Sequence, residues 1–103
     1  MMEKRSLMMA TQNKEYRLIK IRWMDIIRPD ATWMFPEELK TLEPAKITTV
    51  GWLVDENSEQ ITIASSLGDD RQLGDINCIP KSVVQTIENL GETYEDTIDV
   101  PLI

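Results

Sequence analysis

Residues 47–67 constrain the fold more than any other stretch: Ile-Thr-Thr-Val-Gly-Trp-Leu-Val-Asp-Glu-Asn-Ser-Glu-Gln-Ile-Thr-Ile-Ala-Ser-Ser-Leu. Two runs rich in β-branched and aromatic residues flank a short polar, acidic turn at 55–59, which is the pattern of a β-hairpin. In the first run Val50, Trp52 and Val54 share one face, and Ile47, Thr49, Gly51 and Leu53 share the other. Both faces carry apolar groups, so this strand is expected at the centre of a sheet. Gly51 marks a bend or the close approach of another backbone. In the second run Ile61, Ile63 and Leu67 face the core, and Thr62, Ala64 and Ser66 leave a small, hydroxyl-lined surface that reads as solvated.

The rest of the chain extends this hairpin. Residues 14–25 alternate as a strand with Ile19, Ile21 and Trp23 on a core face and Tyr16, Leu18, Lys20, Arg22 and Met24 opposite. The connection after it turns at Pro29-Asp30 and carries Trp33, Met34 and Phe35, which are expected to fold back on the core or to meet a partner. Pro36, Glu37 and Glu38 open a short helix over 36–43, and Pro44 stops it. Residues 75–80 read as a fourth strand. The spacing of Val83, Val84, Ile87 and Leu90 fits either a helix or a fifth strand; a tight turn at 81–83 followed by a strand is the preferred assignment. Gly91 is expected to end the domain. Residues 1–13 read as a flexible arm, in which Met8 and Met9 are possible internal starts, and 91–103 as an acidic tail.

The expected fold class is therefore mostly β: a small, five-stranded, strongly bent antiparallel sheet or barrel, with one short helix in the first connection and a single domain over 14–90.

Charge is unevenly spread. The chain of 103 residues carries a net charge of −7. Residues 1–28 hold seven basic and three acidic residues, and 29–103 hold four basic and fifteen acidic. An acidic surface argues against general DNA or RNA binding, because phosphate contacts supply most non-specific affinity. No apolar run approaches the ~20 residues that span a bilayer, and no secretory signal is recognisable, so a cytoplasmic location is expected. The single cysteine, Cys78, agrees with a reducing compartment and reads as a buried structural thiol.

Several chemistries are excluded. The chain has no histidine, which removes histidine-based triads and, with one cysteine, the usual zinc sites. Asp69, Asp70 and Asp75 lack the spacing and the closing glutamate of a calcium loop. No glycine-rich phosphate loop is present. The expectation is a non-enzymatic protein without a cofactor. Lys20, Arg22, Trp33 and Lys81 are the residues that could hold a planar, nucleotide-like anion by charge and stacking, with Tyr16, Trp23 and Trp52 as further aromatics. The competing expectation for Lys20 and Arg22 is that they pair with acidic neighbours such as Glu37, Glu38 or Asp75. Trp23 and Trp52 are expected in the core.

The segments Ile-Arg-Trp-Met-Asp (21–25), Val-Gly-Trp-Leu-Val (50–54), Ile-Ala-Ser-Ser-Leu (63–67) and Ile-Pro-Lys-Ser-Val-Val (79–84) together resemble short uncharacterised proteins of bacteriophages and prophages, over roughly residues 16–90. That resemblance implies a phage protein acting on host machinery or host defence. It could sequester a nucleotide-like signal at an oligomer interface, or bind a host protein through its acidic surface and tail. The order of strands, with a tight turn at Lys81-Ser82-Val83 before the last, also resembles Sm-like small barrels, which implies a ring and RNA binding. The helix-bearing first connection, the lack of an N-terminal helix and the acidic charge depart from that family. A homo-oligomer, a dimer or a small ring, is expected because a domain this small buries a limited core and Trp33, Met34, Phe35 and Met24 leave apolar surface to cover.

Overall fold

The computed structural model describes the backbone of residues 9–101 and the side chains of residues 14–96. Five strands follow one another: β1 (Met9–Asp25), β2 (Ala45–Glu56), β3 (Gln60–Leu67), β4 (Leu73–Pro80) and β5 (Val84–Pro101). They form one antiparallel sheet in the order β4-β3-β2-β1-β5. The sheet is mostly-β as expected and remains open, with β4 and β5 as its two edges. The first connection holds a 3-10 helix, Pro36–Thr41, with Pro36 at its start and Glu37 and Glu38 in its first turn. A second 3-10 turn, Lys81–Val83, joins β4 to β5. Val84 onwards is therefore strand, the preferred assignment of the two that its spacing allowed. The turn before it is tied to the hairpin, since the Lys81 N–H donates to the Glu59 carbonyl at 2.8 Å.

Alternation decides which face is buried. Ile19 and Ile21 of β1, Ile61 and Ile63 of β3 and Ile79 of β4 form the core, with Trp23, Leu53, Val83 and Val84 packed against them. Ile21 and Ile63 have no exposed surface. Among the described residues no second sheet covers this face, so the sheet buries it by curling on itself, helped by the turn at 81–83. Gly51 lies on the same face. A Cβ there would stand 3.0 Å from the Ala64 carbonyl oxygen and 3.3 Å from the Ile63 Cβ, so the glycine marks a close approach. The register shift of the hairpin falls two residues later, between Leu53 and Asp55.

Several expectations are corrected. β1 begins at Met9 instead of residue 14, and residues 9–13 pair with β5 as far as Pro101. Residues 1–8 and 102–103, the remainder of the expected arm and tail, lie outside the described residues. Gly91 does not end the strand. It adopts φ +85° at a bulge where the register moves from Arg17↔Thr93 to Ile19↔Asn89. The Asn89 Oδ1 accepts the Gly91 N–H at 2.8 Å there. Beyond β2, the ends of β1 and β5 continue as a two-stranded ribbon. The radius of gyration is 20.4 Å, against ~13 Å for a compact domain of this length, because the ribbon projects from the curled sheet.

Trp33, Met34 and Phe35 do not fold back on the core. Trp33 is 89% exposed and Phe35 71%. The connection leaves the sheet after Asp25 and returns at Ala45, and the inner face is already filled by isoleucines. Cys78 is exposed, because its alternation places it opposite the buried Ile79. Ala64 is fully buried on the supposedly solvated face of β3, flanked across the sheet by Trp52 and Ile76.

The hairpin turn gives a first test. Asn57 Oδ1 accepts the N–H groups of Glu59 at 2.8 Å and Gln60 at 3.0 Å. Asn57→Ala is expected to lower stability by about 1 kcal/mol, a typical net hydrogen-bond contribution, while Asn57→Asp keeps the acceptor. Urea midpoints for both variants check this; equal losses would show that the acceptor is not what holds the turn.

Candidate functional site

Lys20 and Arg22 project from the outer face of β1, as alternation requires, opposite the buried Ile19 and Ile21. β5 lies beside them in the sheet. Lys20 faces Glu88 in the register, and its Nζ lies 3.5 Å from the Glu88 carboxylate. The acidic partner is thus Glu88, in place of Glu37, Glu38 or Asp75. Arg22 is exposed and stands opposite Thr86. Lys81, in the turn before β5, lies 2.8 Å from the Glu56 carboxylate at the end of β2. Both ion pairs are partly exposed, where such a pair contributes roughly 0–1 kcal/mol.

Trp33 lies in the first connection. With Met34, Phe35 and Glu38 it lines a shallow cleft of about 240 Å³. A neighbouring cleft of about 430 Å³ is lined by Arg28, Pro29, Asp30, Ala31, Thr32, Met34 and Leu42. Neither includes Lys20, Arg22 or Lys81. The first connection also exposes Ile26, 88% accessible, and Leu39. Apolar surface on this scale in one segment marks an interaction surface more often than bare solvent contact.

The two remaining tryptophans part company. Trp23 packs against the core, and its Nε1–H donates to Thr49 Oγ1 at 2.9 Å, which satisfies the indole on the inner face. Trp52 lies on the outer face instead of in the core. Its ring meets that of Tyr94 edge-on, with centroids 6.3 Å apart and planes at 62°. Tyr94 comes from the segment read as a mobile tail, and only the pairing of Tyr16 with Tyr94 across β1 and β5 brings it there.

Sequence reasoning also missed the acidic sheet edge. Glu88, Glu92 and Glu95 are exposed on β5, the outermost strand. Their density was legible as a charge run, but their position on an open edge required the topology. Among the described residues, no group of His, Cys, Asp and Glu could hold a metal ion, and no helix is long and apolar enough to cross a membrane. No protein-family model, no curated protein and no solved structure matches the chain.

Proposed function

We propose that this chain is a non-enzymatic binding protein that engages a protein partner through its acidic surface, in keeping with its resemblance to short phage proteins, a class that commonly acts on host components. The observation that carries this reading is β5: an exposed, acidic strand that forms one of the two open edges of the sheet. The ion pairs of Lys20 with Glu88 and Lys81 with Glu56 weigh in the same direction, because two of the cations expected to hold an anion already have carboxylate partners. The exposed apolar connection around Trp33 and Phe35 would suit assembly with a second copy.

Capture from host lysate by the wild type and by a Glu92→Lys, Glu95→Lys variant tests the reading. A specific partner retained by the wild type and lost by the variant is expected. Equal capture by both would overturn it.

A second reading has one observation in its favour. Trp33 presents its ring to solvent, free to stack on a planar ligand, and Arg22 is exposed. In this reading a nucleotide-like anion is sequestered in an oligomer. Thermal shift against a panel of nucleotides and cyclic nucleotides decides between them. A ligand at a hundredfold excess over its dissociation constant stabilises by about 2.7 kcal/mol. Such a shift, abolished by Lys20→Ala with Arg22→Ala, would replace the protein-partner reading. The expected outcome is no shift.

A further inference from the structure

β5 is an edge strand from Val84 to Pro101, with β1 on one side and no strand on the other among the described residues. An open edge presents a row of unpaired backbone N–H and C=O groups, which is a template for another extended chain. Which chain fits is a question of charge. β5 carries Glu88, Glu92, Glu95, Asp96 and Asp99 and no basic residue. Like charges set opposite each other across a strand pair are destabilising.

A second copy offers β5 little complementary charge: the stretch of β2 before Trp52, which β3 does not pair, carries Lys46 alone. The edge of β4 carries Asp75 and no basic residue. The part of β1 beyond its pairing with β2 carries Lys14 and Glu15, which cancel. Pairing β5 with another β5 sets acidic strand against acidic strand. The basic strand of this fold, β1 around Lys20 and Arg22, already has β2 and β5 on its two sides.

We infer that β5 captures a basic, extended peptide segment of a partner protein by strand addition. This rests on the protein-partner reading and names the chemistry of the partner. Backbone hydrogen bonds to the β5 edge hold the segment; basic side chains on its one face meet Glu92, with Glu88 shared with Lys20, and one on its other face meets Glu95, because alternation sets Glu92 and Glu95 on opposite faces of β5. Exposed Leu90 and Tyr94 share the face of Glu88 and Glu92, and exposed Ile87 shares that of Glu95, so the fitting segment carries basic and apolar side chains on both of its faces.

The test uses the full chain and a fluorescent, N-acetylated peptide of about ten residues, the length of a long strand, in which Lys-Lys and Val-Val pairs alternate so that both faces carry both residue types. A control peptide of equal charge has its central valines replaced by proline, which removes backbone donors and leaves the charges. The expected result is salt-sensitive binding by anisotropy, weakened about tenfold or more by the prolines and by Glu92→Lys with Glu95→Lys, with new amide-exchange protection confined to β5. The charge-reversed variant is expected to bind the matching Glu-Val peptide instead.

Equal binding of the proline peptide would overturn strand addition while leaving the acidic-surface reading standing. Equal binding by the variant would overturn the charge complementarity on which both rest. Binding of neither peptide would mean that the acidic residues only blunt the edge. Protection of β5 amides that rises with protein concentration and no peptide would assign the edge to a second copy.

Discussion

Ile63→Ala is expected to lower the unfolding free energy by about 2–5 kcal/mol, the range for truncating a buried isoleucine or leucine. Ile63 has no exposed surface and belongs to the isoleucine cluster formed by β1, β3 and β4. Its Cβ and Cδ1 also lie against the position a Cβ would take at Gly51. Removing it leaves a hole at the meeting point of two strands, and among the described residues the curled sheet has no second layer that could settle into it. A domain of this size is stable by only about 5–15 kcal/mol, so the loss is a large share of the total. Chemical denaturation measures it directly. A change below about 0.5 kcal/mol, the range of surface substitutions, would mean that the inner face is not the core. Cys78→Ala is the contrasting control: Cys78 is exposed on the outer face of β4, and its replacement is expected to stay within that smaller range.

Gly51→Val is expected to destabilise by about 1–3 kcal/mol through overpacking, the opposite error from a cavity. The two contacts that a side chain meets differ in kind. The Ile63 side chain can shift, but the Ala64 carbonyl oxygen, 3.0 Å from the added Cβ, belongs to the backbone of β3. The backbone contact therefore sets a floor that repacking does not remove. This gives a sharper measurement than the single variant. Ile63→Val introduced beside Gly51→Ala is expected to recover part of the loss, because residues in contact are non-additive. Additive losses in that double-mutant cycle would show that Ile63 does not lean over Gly51.

The fold was legible where one local rule sufficed. Ile19, Ile21, Ile61 and Ile63 fell on their observed faces because strand side chains alternate whatever the partner strand. Gly51 was legible as a bend or a close approach because a glycine within a β-rich run has few other uses, and the Ala64 carbonyl beside it decides for the second. The strand after Lys81–Val83 followed from β-branched content despite its compatible helical spacing. The candidate site was less legible. Lys20 and Arg22 were placed on one face correctly, yet Glu88 is 68 positions further along and meets Lys20 only because β5 crosses back beside β1. Trp33 and Phe35 have the hydrophobicity of core residues, and composition carries no sign that isoleucines fill the inner face without them.

The ends of the chain show the division most plainly. Residues 9–13 and 91–101 read singly as arm and tail, since neither is apolar enough to demand burial. Each becomes strand only by pairing with the other, as in Gln12↔Ile98 and Tyr16↔Tyr94. Backbone hydrogen bonding between segments this far apart depends on where the rest of the sheet delivers them, and side-chain alternation within either segment does not encode it. The sequence by itself determined the strand faces, the hairpin and the surplus of acid in the second half. The tertiary structure decided that this acid lies on an open edge, that Trp52 meets Tyr94 on the outer face, and that the aromatic connection stays outside, because each depends on which strands become neighbours.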